Sequence, residues 1–166
     1  ALFQGMWITV PEAGLPASLD AQQFVREATL DDVDTLVAIE REVAGIERPN
    51  DLRYFINNAH ECWHMSVYED VAGIQGFAVS CSHPGCRMVG PCATRTQDQA
   101  AALILTELQR HGGLTMAYML PVECEDLVKT SYSWGAKNYE VALGQVRGEY
   151  QSMQGVSIPT FLPETG

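Results

Sequence analysis

Residues 88–111, MVGPCATRTQDQAAALILTELQRH, decide the fold, because they describe a buried strand, a short polar turn and then a helix. Thr96 with Gln99 three residues later is a capping box, which satisfies two orphan N–H groups and marks where the helix begins. Ala100, Leu103, Ile104, Leu105 and Leu108 recur at helical spacing, and Gly112-Gly113 stops the run. A strand feeding a helix N-terminus makes an anion-binding corner, since unpaired N–H groups and about half a positive charge collect there. An ordinary strand-to-helix connection without a ligand has the same appearance.

Upstream, residues 1–24 contain Pro11, Gly14 and Pro16 without a sustained period and are expected to form an extended lead-in. Thr29 and Asp32 cap a helix with Val33, Leu36, Val37, Val43 and Ala44 on one face, ending at Gly45. A shorter helix is expected over 51–58, capped by Asn50, with Leu52, Phe55 and Ile56 inward. Residues 63–68 and 74–81 are aromatic and β-branched around an acidic turn, which predicts a hairpin. A turn at His83-Pro84-Gly85 then leads into a third antiparallel strand over 87–92. Downstream come a strand over 114–120, a helix over 123–134 ending at Gly135, and a strand over 138–145. Residues 149–166 are expected to be a mostly irregular extension with an edge strand around 156–158.

The 166 residues suit one domain, with 25–148 as its body. Ten basic residues against 21 acidic ones give a net charge of -11, which repels nucleic acid and anionic membranes and favours a cationic amine. No apolar run reaches membrane-span length, and the start lacks the order of a secretory signal. Five irregularly spaced cysteines do not make a disulfide framework and point to the cytoplasm. His60, Cys62 and His64 with Cys81, His83 and Cys86 could supply zinc ligands if the two segments meet, but buried thiols and an ordinary turn explain them as well. The opening ALFQG resembles a viral 3C-protease cleavage site, and the ending LPETG matches a sortase motif.

The order helix, helix, three-stranded meander, helix, strand, helix, strand resembles the GNAT N-acetyltransferase superfamily. Val25-Arg26-Glu27-Ala28-Thr29 resembles its opening into the first helix, and Glu69-Asp70 through Gly76-Phe77-Ala78-Val79 resembles its hairpin. Val89-Gly90-Pro91 ahead of the capped helix is similar to its cofactor strand, and Leu127 to Ala136 to its late helix. The resemblance implies an α/β (α+β) fold, with a mixed, mainly antiparallel twisted sheet flanked by about four helices. It also implies transfer of an acetyl group from acetyl-CoA to a primary amine, on a small molecule or a peptide, by direct attack. Met88, Val89 and Gly90 would then face the pantetheine, and Arg95, Thr96, Gln97 and Gln99 would surround the pyrophosphate. Tyr132 would serve as general acid and Glu61, or Glu69, as general base. Cys92, without a histidine partner, is expected to be structural.

Two departures from that pattern bear on function. The family's phosphate turn carries glycines, whereas none stands between Pro91 and the helix, and Asp98 sits at the helix entrance. Like charges about 4 Å apart repel by several kcal/mol at an effective dielectric near 20. The tyrosine that usually lies four residues before the helix-ending glycine is Ser131 here, with Tyr132 turned about 100° away. A catalytically silent lobe serving in ligand binding or dimerisation is the alternative, with a partly unpaired last strand suited to edge pairing in a homodimer.

Overall fold

The computed structural model describes residues 1–146 and 148–160, so the LPETG ending lies outside the described residues. Four helices flank an eight-stranded mixed sheet. The strands are β1 (Leu2–Thr9), β2 (Val25–Glu27), β3 (Trp63–Asp70), β4 (Gly73–Cys81), β5 (Met88–Thr94), β6 (Thr115–Pro121), β7 (Lys137–Leu143) and β8 (Val156–Ile158). The helices are α1 (Val33–Ala44), α2 (Pro49–Asn57), α3 (Gln97–Gln109) and α4 (Glu125–Ser133). None of these helices is long and apolar enough to cross a membrane.

The sheet order is β2-β3-β4-β5-β6-β1-β7, with β8 paired to β5 outside that path. Every pairing is antiparallel except β5 with β6, which share the single registered pair Met88 and Ala117. Beyond that pair the two strands diverge. Alternation along the central strands supplies both faces. Met65, Val67, Phe77 and Val79 pack with Leu36, Ile39, Leu52 and Phe55 of α1 and α2. Tyr68, Ala78 and Val89 face Leu103, Ile104 and Leu108 of α3, together with Leu127 of α4.

Two expectations are corrected. Residues 2–9 are not a lead-in: they form β1, paired on one side with β6 and on the other with β7, burying Phe3, Met6 and Ile8. Residues 156–158 do form a strand, but Val156, Ser157 and Ile158 are buried against β5 and do not lie at an outer edge.

Helix boundaries follow local chemistry. The Asp32 carboxylate accepts from Thr29 N–H at 2.8 Å and closes a one-turn 3-10 helix, Leu30–Asp32, that leads into α1. Pro49 opens α2, where a missing N–H costs nothing, so that helix begins two residues before the expected start.

Candidate functional site

The corner ahead of α3 forms as its sequence dictates. Thr96 N–H donates to Gln99 Oε1 at 3.0 Å, and Gln99 N–H donates to Thr96 Oγ1 at 3.4 Å. β5 and β6 separate just before this corner, which leaves the backbone of β5 open for pairing between them. β8 takes that place. Cys92, Ala93 and Thr94 are in register with Ile158, Ser157 and Val156, and β8 also runs against β6.

The approach is close enough to dictate residue type. A Cβ on Gly155 would fall inside the contact distance of the Thr94 carbonyl oxygen. One on Gly90 would stand 2.5 Å from the Pro159 carbonyl oxygen, and Gly90 holds φ +145°, which a side chain rarely adopts. Met88 and Val89 are buried in the core. The side of β5 expected to meet pantetheine is therefore met by the chain's own residues 155–159.

The residues expected around pyrophosphate are committed elsewhere. Arg95 donates Nε and Nη2 to Glu42 at 2.9 and 2.6 Å, and Nη1 to Gln75 Oε1 at 3.0 Å. That bidentate pair raises the Arg95 pKa and lowers the Glu42 pKa, with the side-chain hydrogen bond the main cause of each. Gln97 Oε1 accepts from Leu127 N–H at 3.0 Å, tying α3 to α4. Among the described residues, the remaining hollow, about 500 Å³, is lined by Asp98, Glu123 and Asp126, with Arg95 as the one cation. An acyl-CoA pyrophosphate does not fit this donor set: the carboxylates repel it and the arginine is already neutralised.

The expected acid and base do not come together. Tyr132 is 43% exposed, and its phenol oxygen accepts from Gln4 of β1. Ser131, at the place of the usual tyrosine, is buried with its hydroxyl 2.5 Å from Tyr118 Oη. Glu61 lies in the turn before β3, whereas Glu69, near the other end of that strand, pairs with Arg26 Nε at 2.5 Å. Cys92 is buried, and desolvation pushes its thiol well above the usual range, which disfavours the thiolate a nucleophile needs. Of the zinc candidates, His64 bonds to Glu107 and His83 Nδ1 accepts from Gly85. Among the described residues no group of three His, Cys, Asp or Glu side chains could hold a metal.

The sequence reading missed a buried polar cluster on the α3 face of the sheet. Glu107, fully buried, accepts from Ser66 Oγ and Ser80 Oγ, each at 2.5 Å, and contacts His64 Nδ1 at 2.9 Å. His111 Nε2 stands 2.8 Å from Ser80 Oγ. Glu107 follows Leu103 by four residues and Ile104 by three, so a charge on the apolar stripe was its signal.

Comparison with known proteins agrees with this architecture. A sequence profile of the GNAT acetyltransferase domain matches residues 36–148, and the chain belongs to that family. No curated protein matches the chain. A protein from Novosphingobium aromaticivorans described as a GNAT-family acetyltransferase is similar at 15% identity and a TM-score of 0.63, over 85% of this chain and 61% of that one. Another, from Pyrococcus horikoshii and described as an acetyltransferase, is similar at 11% identity and a TM-score of 0.66, over 99% of this chain and 52% of that one. These likenesses establish the shared fold, and the chain spans about half to three-fifths of those proteins' lengths.

Proposed function

We propose that this chain is a GNAT lobe closed to acyl-CoA, which serves through ligand binding or through pairing with another lobe. The observation that carries the reading is β8, hydrogen-bonded to β5 where the two central strands part. Three further features support it: the Arg95–Glu42 pair, the carboxylates at the corner and the buried Ser131. The five free cysteines suit a cytoplasmic setting.

The strand-to-helix corner itself, intact with its capping box, favours a second reading. In it the chain transfers an acetyl group from acetyl-CoA to a primary amine once β8 withdraws, and the net charge of -11 suits an amine acceptor. Calorimetric titration of acetyl-CoA into the full chain, and into a chain ending at Gln154, separates the two. The first reading expects no saturable heat from either. Binding by the shortened chain alone, weakened by Arg95→Ala, would establish the second reading, and binding by the full chain overturns the first.

A further inference from the structure

β7 ends the sheet, and its two halves differ. The first half is guarded. Lys137 opens it, and a bulge follows at Tyr139, because Gly5 pairs with Glu140 while Met6 pairs with Asn138. Asn138 Nδ2 pins that bulge by donating to the Gly5 and Glu140 carbonyl oxygens at 3.0 and 2.8 Å. The opposite edge of the sheet, β2, is only three residues long, which is itself a protection against edge pairing. Neither device covers residues 141–143. Val141 is 62% exposed and Leu143 66%, and β1 is the one strand paired with β7 among the described residues.

The backbone of this unguarded half has a definite direction. Gly144 N–H donates to the Ala1 carbonyl oxygen at 2.8 Å, so Gly144 turns its polar groups toward β1. Those groups alternate sides along an antiparallel strand, and the register is unbroken where Val141, Ala142 and Leu143 stand opposite Gln4, Phe3 and Leu2. Ala142 therefore also faces β1, whereas the N–H and C=O groups of Val141 and Leu143 point out of the sheet. Their side chains share the face that carries α4, since Val141 stands opposite Gln4 and Gln4 bonds Tyr132 of that helix. An outward backbone and exposed apolar side chains thus coincide on the same residues.

We propose that this edge pairs antiparallel with the same edge of a second copy of the chain, about a two-fold axis at Ala142. In that register Val141 meets Leu143 of the second copy and Leu143 meets its Val141, exchanging both backbone bonds in each pair and matching apolar side chains on the α4 face. Ala142 meets Ala142 in the closer, non-hydrogen-bonded pair, where a small side chain fits. Glu140 falls opposite Gly144, so no like charges meet. A two-fold at Val141 sets Leu143 against the bulge, and one at Leu143 sets Val141 beyond the end of the strand. Ala142 is the centre that keeps both partners. The interface supplies the partner for the pairing side of the closed-lobe reading and rests on that reading for its role, though not for its geometry.

Sedimentation equilibrium of the full chain tests this, in ~150 mM salt so that screening limits the repulsion between two acidic chains. A reversible monomer–dimer equilibrium with a micromolar Kd is expected, as suits a small edge contact. Val141→Lys, at a position exposed in the single chain, is expected to weaken association about tenfold or more. The double variant Val141→Lys/Leu143→Glu sets an ammonium opposite a carboxylate in each cross-strand pair and is expected to associate about threefold or more tighter than Val141→Lys. No dimer at about 0.5 mM chain overturns the proposal. So does a dimer indifferent to Val141→Lys, or a double variant no tighter than the single one. Failure here is separable from failure of the closed-lobe reading: acetyl-CoA heat from a chain that dimerises overturns that reading and leaves the interface standing, and a monomeric chain without heat does the reverse.

Discussion

Gly155→Ala should detach β8 while leaving the rest of the domain folded. Val156 and Ile158 are each 1% exposed, and burying two such side chains contributes about 3–6 kcal/mol, an upper bound since the free segment is partly collapsed. Ordering three residues costs about 1–2 kcal/mol each in backbone freedom, which offsets most of that gain. Backbone hydrogen bonds to β5, about 0.5–1.5 kcal/mol each, supply much of what remains. The strand is thus held by only a few kcal/mol. A methyl forced onto the Thr94 carbonyl introduces overpacking of about 1–3 kcal/mol, comparable with the whole attachment. Amide hydrogen exchange measured by mass spectrometry reads this locally. Segment 155–159 should exchange about 5- to 150-fold faster in the variant, with α3 and β3 unchanged. Unchanged exchange in that segment, or a uniform acceleration across the domain, would refute the reasoning.

Deleting residues 1–9 should abolish cooperative thermal unfolding followed by circular dichroism. Phe3, Met6 and Ile8 together contribute about 5–9 kcal/mol, against a typical domain stability of about 5–15 kcal/mol; a sigmoidal melt from the shortened chain contradicts this. His111 should impose a pH dependence on stability. Burial lowers its pKa from 6.5, so below that value the unfolded chain takes a proton that the fold resists. Its contribution is complete above about pH 6.5 and is lost as pH falls toward the folded-state value. The urea midpoint should fall in that window, and His111→Asn should flatten the slope; equal slopes in both proteins count against the assignment.

The elements from Val25 to Leu143 were legible because each declares itself locally. The capping box at Thr96, the acidic turn after β3 and the apolar stripe of α3 need no distant partner to be read. β1 was hidden for two physical reasons. Its partners are residues 115–143, and a register shift between Gly5 and Met6 moves the buried positions from Phe3 and Gly5 to Met6 and Ile8. A broken alternation looks like no alternation. β8 was visible as three residues, but its burial depends on β5 and β6 parting, which sequence does not reveal. The missing phosphate glycines and Asp98 did signal a compromised corner. The Arg95–Glu42 pair joins residues 53 apart, and nothing near Arg95 announces it.

The placement of β1 also orders events during synthesis. Its first partner strand begins at Thr115 and its second ends at Leu143, so β1 must wait for more than a hundred residues to be made. At about 5–20 residues per second that wait is roughly 6–27 s. Throughout it an apolar strand bearing Phe3, Met6, Trp7 and Ile8 has neither edge satisfied, a template for association between nascent chains. The finished sheet hides that strand, but its stability gives no protection during this interval.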